Sequence, residues 1–159
     1  MWNIYDQLKD CFPFFMGLLL FSSCAGSNHQ QPKTVSLPND LKISIYRGGG
    51  VAGLWEGYII EANGTVSHWQ GRLPETNPEV AGQLSPQELS DLWNAIQRTD
   101  FFNATLSRTG NMTFFIKIRA SGRQHSVSWA AQPEPADRQV QRFQNLYMLI
   151  KQAAEKDRD

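Results

Sequence analysis

The sequence predicts an α+β domain: an antiparallel sheet of about four to five strands with two α-helices packed on one face, preceded by an N-terminal signal segment and a flexible tether. Several short segments alternate apolar and polar residues, and tight-turn dipeptides join them in pairs. Two amphipathic segments begin with helix-capping residues. Because the strands come in pairs, without the strand-helix-strand order of a parallel sheet, an antiparallel sheet is favoured.

Composition limits the domain count and the class of partner. The chain has 159 residues, equal numbers of acidic and basic side chains, and a pI near 6.8. Its hydrophobic fraction of 41% is too high for a disordered chain and is sufficient for one core without a disulfide or a metal. A nucleic-acid binder needs a basic surface. We therefore expect one globular domain and no nucleic-acid partner.

Residues 1–23 have the order of an export signal. A short polar lead precedes the apolar stretch Phe12–Phe21, and small residues follow it up to Cys24. The apolar stretch is shorter than the ~20 residues that a membrane-spanning helix needs, so a transmembrane segment is the second interpretation. Cys11 would leave with the signal, and the mature chain would then have no disulfide.

The small residues directly before Cys24 resemble the lipobox of bacterial lipoproteins. This resemblance implies cleavage before Cys24 and a diacylglycerol on its sulfur, which would make a lipid bilayer a partner and place the protein at the periplasmic or extracellular face of the cell envelope. Two alternatives stay open: a plain secretory signal, which gives a secreted protein, and an apolar N-terminal helix with a chance cysteine. Residues 24–39 are polar and interrupted by prolines, as in a flexible tether.

The globular domain is predicted to span residues 40–157. Its first strand begins at Leu41, alternates apolar and polar side chains as a half-buried strand does, and ends in glycines. The dipeptide Asn63-Gly64 predicts a hairpin between strands Leu54–Glu61 and Thr65–Gln70. Residues 71–84 contain two prolines and are predicted to form a loop.

Capping residues in the sequence predict two helices. Ser85, Pro86 and Glu88 form the pattern of a capping box with proline at the first helical position. The inward face of this helix is predicted to carry Leu89, Leu92, Trp93 and Ile96. Asp100-Phe101-Phe102 comes next, and we expect both phenylalanine rings to lie under the sheet. Asp137 is predicted to cap the final helix, whose inward residues are Val140, Phe143, Tyr147 and Ile150.

A second hairpin lies between the helices. Residues 112–119 alternate in the same way as the first strand, with Met112, Phe114, Ile116 and Ile118 on one face, and predict a second clear strand. The sequence Ala120-Ser121-Gly122-Arg123 predicts the turn, and residues 124–129 predict the returning strand.

The sequence contains no motif of catalysis or metal binding. The three histidines of the chain are His29, His68 and His125, and they lack the paired spacing of a zinc site. There is no nucleophile elbow and no phosphate loop. The spacing of Glu56, Glu61 and Asp100 does not show whether these carboxylates meet in space. We therefore expect a protein that is not an enzyme and has no cofactor and no metal.

The most distinctive segment is the glycine-rich run at residues 48–53. It lacks the lysine of a phosphate loop. One interpretation is a wide, flexible connection between two strands. The other is a recognition loop, because glycine lets a backbone approach a partner closely and exposed loops on rigid scaffolds carry most binding sites.

Three motifs in order carry a family resemblance. Gly49–Gly53, Ser85–Leu89 and Asp100–Phe102, followed by a strand pair around the Gly122-Arg123 turn, resemble the emfourin family, small protein inhibitors of thermolysin-like metallopeptidases of the protealysin type. The resemblance spans roughly Leu41 to Ile150. Residues 54–84 look longer than the corresponding part of that family, and the leader is an addition.

The resemblance implies a membrane-anchored inhibitor that blocks an exported metallopeptidase by occlusion. Such an inhibitor needs a protruding, complementary surface and no catalytic residues. The implied contact residues are Gly49, Gly50, Val51, Ala52, Gly53, Leu54 and Trp55, with Val51 and Leu54 or Trp55 as apolar anchors. In the alternative, Leu54 and Trp55 enter the domain core.

A second function class is an envelope structural or assembly lipoprotein that binds a protein partner without inhibiting it. A third class, a hydrolase, is disfavoured by the scarcity of candidate nucleophile and base pairs.

Overall fold

The computed structural model describes residues 36–132 and 137–156, so the predicted signal, the predicted lipidation site Cys24 and most of the predicted tether lie outside the described residues. The elements follow the chain as strands β1 (Lys42–Gly49), β2 (Leu54–Glu61), β3 (Thr65–Gly71) and β4 (Glu79–Gln83), helix α1 (Pro86–Arg98), a 3₁₀ turn (Phe101–Asn103), strands β5 (Met112–Ala120) and β6 (Arg123–Ala130), and helix α2 (Arg138–Glu155).

The strands form one sheet of six in the order β4-β3-β2-β1-β5-β6, with every neighbouring pair antiparallel. The sheet and the two helices confirm the predicted α+β class. The additional strand is β4, which lies in the stretch 71–84 that was predicted to be a loop. It is only five residues long and pairs with β3 across an irregularity at Val66/Ser67. A short, bulged edge strand after a proline carries little alternation for a sequence to reveal.

Both helices pack on one face of the sheet and bury the main core. The strand residues on that face include Ile43 and Ile45 of β1 and Ile116 and Ile118 of β5, all with no exposed surface. The helices contribute Leu89, Leu92, Trp93 and Ile96 of α1 and Val140, Phe143, Leu146, Tyr147, Ile150 and Ala154 of α2. All the predicted inward residues are therefore buried, and the burial of this apolar surface supplies the main driving force for folding.

The predicted capping box forms at the start of α1. The Ser85 hydroxyl accepts a hydrogen bond from the Glu88 N–H at 3.3 Å, and the Glu88 carboxylate accepts one from the Ser85 N–H at 2.9 Å. The Lys156 ammonium also contacts the Glu88 carboxylate, with 2.5 Å between Nζ and Oε1. These contacts connect the first turn of α1 to the end of α2.

Only one of the two phenylalanines after α1 is fully buried. Asp100 adopts a left-handed backbone conformation with φ of 53°, which turns the chain sharply out of the helix. Phe101 then enters the core at 1% exposure, whereas Phe102 stays partly exposed. The expectation that both rings lie under the sheet is thus wrong for Phe102, because adjacent residues of a 3₁₀ turn point in different directions.

The face of the sheet away from the helices holds a second, smaller core. It consists of Tyr46, Ile59 and Trp69, with the partly buried Trp55 and Phe115 packed against them. The prediction that β1 is half-buried is therefore wrong: Ser44 and Tyr46, on its second face, are also buried. A central strand that is covered on both faces buries the residues of both faces. Period-two alternation in the sequence does not show whether the second face is covered.

A glycine makes room for this second core. Gly57 lies opposite Tyr46 on one side and Trp69 on the other, and an added Cβ would lie 2.5 Å from the Tyr46 Cβ. The Tyr46 ring stacks on Phe115 at 4.8 Å between centroids and meets Trp69 at 5.7 Å. Without the glycine these rings could not approach each other so closely.

Residues 72–78, which we call the strap, cross the face of the sheet that carries the second core. Glu75 of the strap contacts two lysines on the sheet: its Oε2 lies 2.8 Å from the Lys42 Nζ, and its Oε1 pairs with the Lys117 ammonium. Burial alone would raise the pKa of Glu75, but the two lysines outweigh burial and lower the pKa below its ordinary value. Glu75 is therefore ionised and fastens the strap to β1 and β5.

The N-terminal end of the described chain is fixed at the turn between β5 and β6. The Asp40 carboxylate accepts hydrogen bonds from the backbone N–H groups of Ser121 at 2.6 Å and Gly122 at 2.8 Å. These bonds lower the pKa of Asp40. The chain thus enters β1 at the end of the sheet opposite the β1–β2 connection.

The Glu88 contacts predict a measurable pH dependence of stability. Hydrogen bonds from Lys156 and Ser85 lower the pKa of Glu88 from 4.5 to about 2. Because the folded-state pKa is below the unfolded one, the stabilisation is complete above pH 4.5 and is lost as the pH falls towards 2. We expect Glu88→Gln to show a smaller loss of unfolding free energy over this range than the unchanged chain, as measured by urea unfolding.

The control for this comparison is Glu79→Gln, which removes an exposed carboxylate that makes no ion pair with any described residue. This control is expected to follow the unchanged chain. Equal acid sensitivity of the unchanged chain and Glu88→Gln would contradict the prediction.

Candidate functional site

The glycine-rich segment forms a short hairpin connection between β1 and β2. Only residues 50–53 lie outside the two strands. The Gly50 N–H donates to the Asn111 carbonyl at 2.6 Å, and the Gly53 N–H donates to the Gly50 carbonyl at 3.2 Å. The connection is therefore not wide, since four residues complete it and two backbone hydrogen bonds hold it.

Glycine is needed here for both conformation and space. The backbone φ angles are 119° at Gly49, 69° at Gly50 and 58° at Gly53, and residues other than glycine rarely adopt such values. A Cβ at Gly49 would in addition collide with the Asn111 carbonyl oxygen, whereas a Cβ at Gly53 would meet no atom within 4 Å. The run of glycines thus builds a defined loop that docks against the residue before β5.

The loop exposes an apolar tip, which we define as Val51, Leu54 and Met112. Val51 at the apex is 107% exposed, and Leu54 at the start of β2 is 46% exposed. Met112 begins β5 beside them; its sulfur lies 3.5 Å from the Cβ position of Gly50, and its exposure is 38%. Three apolar side chains from two parts of the chain therefore project into solvent at one end of the sheet.

Trp55 has a different environment from its neighbour Leu54. Its ring packs edge-on against Tyr46 at 6.0 Å and Phe115 at 5.6 Å, at the margin of the second core. Of the two proposed apolar anchors, Leu54 is available to a partner and Trp55 mainly supports the loop from below. A cavity of about 300 Å³ opens beside them, lined by Arg47, Gly48, Gly49, Leu54, Trp55, Glu56, Gln70 and Met112.

A charged groove that the sequence did not predict lies between the sheet and α2. Arg47 and Glu56 face each other across β1 and β2, with 2.6 Å between Nε and Oε1. The Tyr58 hydroxyl donates to Glu155 at 3.0 Å, and Lys151 lies 3.5 Å from the same carboxylate. The groove encloses about 330 Å³ and is also lined by Gly57, His68 and Tyr147.

The charges in this groove are paired with one another. Arg47 pairs with Glu56, and the hydrogen bond between them raises the pKa of the guanidinium. Burial raises the pKa of Tyr147 to about 12, so this phenol is protonated at neutral pH. The acidic and basic side chains of the groove therefore neutralise one another at the edge of the core. Such pairing does not supply a free nucleophile or base.

The other polar residues singled out in the sequence are separated from one another. Of the three carboxylates, Glu56 faces Arg47, Glu61 ends β2, and Asp100 accepts a hydrogen bond from the Asn103 amide at 2.7 Å. His68 packs against the Tyr58 ring, and His125 Nε2 donates to the Ala104 carbonyl at 2.8 Å.

His29 lies outside the described residues. Within residues 36–132 and 137–156, no group of three or more His, Cys, Asp or Glu side chains is arranged to hold a metal ion. Neither helix in that part of the chain is long and apolar enough to cross a membrane.

The loop geometry predicts unequal effects of two alanine substitutions. Gly49→Ala should cost roughly 2–4 kcal/mol, because it combines a strained backbone with a collision at Asn111. Gly53→Ala should cost only about 1 kcal/mol, because only the backbone conformation is unfavourable. Urea unfolding of the two variants checks this order, and equal losses would mean that the loop is not held against Asn111.

Comparisons with known proteins do not assign the chain to a family. No protein-family model matches the sequence, and the search of curated proteins found no match. The apolar tip, the strap and the charged groove are therefore interpreted from their own chemistry.

Proposed function

We propose that this protein is a membrane-anchored binding module that inhibits an exported thermolysin-like metallopeptidase by occlusion, with the β1–β2 loop as its contact surface. The supporting observation is the apolar tip: Val51 stands fully exposed at the apex of a loop whose backbone is fixed by hydrogen bonds. A rigid, protruding apolar side chain loses little entropy when it enters a cleft, and such anchors contribute most of the binding energy of an interface.

The flanking residues complete the proposed surface. Leu54 and Met112 lie on either side of the loop and would extend the apolar contact, whereas Gly50 and Gly53 allow close approach of the backbone. Arg47 and Glu56 form an ion pair beside the cavity next to Leu54. An apolar centre with a polar rim is the usual arrangement of a protein interface.

Occlusion requires no catalytic group in the inhibitor, and the residues at the tip are consistent with this mechanism. The three side chains of the apolar tip carry no titratable group. We propose that the protein itself is not an enzyme and acts only by occupying the cleft of its partner.

A second candidate function is that of an envelope assembly lipoprotein, and α2 provides the observation that favours it. Met148 and Leu149 are adjacent on the outer side of this helix and are 55% and 44% exposed. Adjacent exposed apolar residues on a helix fit a partner that docks on the helical layer and not on the loop. If the partner docks on the helical layer, Val51→Asp in the loop would leave partner binding unchanged.

The first test of inhibition is a titration of thermolysin with the full-length chain in detergent. We expect a saturable loss of peptidase activity. Val51→Asp should weaken inhibition by at least tenfold, since it places a charge at the centre of the apolar contact. The matched control is Val80→Asp, which changes a valine that is 75% exposed on β4, at the edge of the sheet.

Both valine variants should keep the unfolding free energy within about 1 kcal/mol, because each changes an exposed side chain. Inhibition by Val51→Asp as strong as that by the unchanged chain would exclude the loop as the contact surface. A complete lack of inhibition by the unchanged chain would exclude inhibition of this peptidase.

Lipid anchoring through Cys24 is tested separately by detergent partition. The mature protein expressed in a bacterial host should enter the detergent phase, because two or more acyl chains give stable membrane binding. Cys24→Ala should remain in the aqueous phase. Equal partition of both proteins would contradict the proposed anchor and would favour the alternative of a secreted protein without a lipid.

A further inference from the structure

The strap is fastened to the sheet by a single carboxylate. Among the described residues, all hydrogen bonds and ion pairs between strap side chains and the sheet involve Glu75. The Thr76 hydroxyl bonds within the strap, to the Leu73 carbonyl at 2.8 Å, and the Leu73 side chain is 66% exposed. Release of Glu75 would therefore remove all the polar attachments that strap side chains make to the sheet.

The two lysines that hold Glu75 form a preformed anion site. Lys42 on β1 and Lys117 on β5 are diagonal neighbours on the same face, because Ser44 is opposite Lys117 and Lys42 is opposite Arg119. Like charges at this spacing repel each other, so the site favours an anion between them. Glu75 fills this position in the closed arrangement, with its side chain only 15% exposed.

Below the strap lies an aromatic surface with unused hydrogen-bonding groups. Tyr46, Trp69 and Phe115 form its floor. The Trp69 Nε1 and the Ser44 Oγ are buried, and neither has a hydrogen-bond partner among the described residues. By their register, both residues lie on the face that carries Lys42 and Lys117, so a ligand bound on this face can supply the partners that buried polar groups normally have.

We propose that this surface is a binding site for an acidic peptide segment of a partner protein, and that the strap occupies the site in the free protein. The partner's carboxylate takes the place of Glu75 between Lys42 and Lys117, and its apolar residues cover the aromatic floor. The strap is itself a peptide with one acidic residue, so it shows the chemistry that the site accepts. The proposal is independent of the β1–β2 loop.

The strap competes with the external peptide because it belongs to the same chain. A tethered competitor acts at an effective concentration on the order of millimolar. An external peptide with the same contacts therefore binds the unchanged protein weakly. Removal of the Glu75 charge leaves both lysines unpaired and should make the site available.

The test uses the full-length chain in detergent and a capped synthetic peptide with the strap sequence Arg-Leu-Pro-Glu-Thr-Asn-Pro. Binding is followed by the NMR signal of the Trp69 indole N–H, assigned with Trp69→Phe. We expect Glu75→Gln to bind this peptide at least tenfold more tightly than the unchanged chain. The control Glu79→Gln should behave like the unchanged chain, and a peptide with Gln in place of Glu should not bind Glu75→Gln.

A second measurement compares two signals within the unchanged chain. In the unchanged chain, raising NaCl from about 0.05 M to about 1 M screens the Glu75 ion pairs. Hydrogen exchange of the Trp69 indole N–H should then become several-fold faster. The Trp93 indole N–H is an internal control, because it is also buried without a partner but lies in the core under the helices.

Three results would overturn the proposal. The first is equal salt sensitivity of the Trp69 and Trp93 indole signals. The second is weak peptide binding by Glu75→Gln, no tighter than that of the unchanged chain. The third is equally strong binding of acetate and the peptide to Glu75→Gln, which would mean that the lysines bind any carboxylate and that the aromatic floor takes no part.

Discussion

The central position of β1 is the constraint on which the rest of the structure depends. It pairs with β2 on one side and β5 on the other, and its side chains serve both faces of the sheet in alternation. Ile43 and Ile45 enter the core under the helices, whereas Ser44 and Tyr46 enter the second core under the strap. A shift of β1 by one residue would exchange these two sets and disrupt both cores. The register of this strand therefore determines where the lysine pair, the aromatic floor and the glycine-rich loop lie.

The features that the sequence predicted well are those that arise within a few residues. The capping box at Ser85 and Glu88 and the turn at Asn63-Gly64 involve contacts between near neighbours, so their residue types are sufficient to reveal them. The strap depends on contacts far along the chain, whereas β4 pairs with the preceding strand but is short and irregular. Glu75 meets Lys42 across 33 residues, and no local pattern encodes such a contact. A long-range contact thus explains why the strap was not predicted, and weak alternation explains the same for β4.

In the candidate site, too, the sequence shows local features but not those that depend on long-range contacts. The glycine-rich run is distinctive in the sequence, but neither interpretation of it included the positive φ angles that the structure has at positions 49, 50 and 53. Whether Leu54 or Trp55 points to solvent depends on which face of β2 meets Tyr46 and Phe115, which only the assembled sheet decides. No local pattern predicts the charged groove either, because Tyr58 and Glu155 are 97 residues apart. Its one signal in the sequence was a series of charged residues on strands otherwise rich in apolar ones.

The attachment of Asp40 to the β5–β6 turn gives the domain a direction. The chain enters β1 at that turn, and the glycine-rich loop lies at the other end of the same strand. At about 3.3 Å per residue, the interval from Leu41 to Gly49 spans about 26 Å. In the proposed anchored form, the acylated segment joins the domain at the Asp40 end of β1. The loop lies at the other end of the same strand, so a target bound at the loop would not contact the end where the anchor joins.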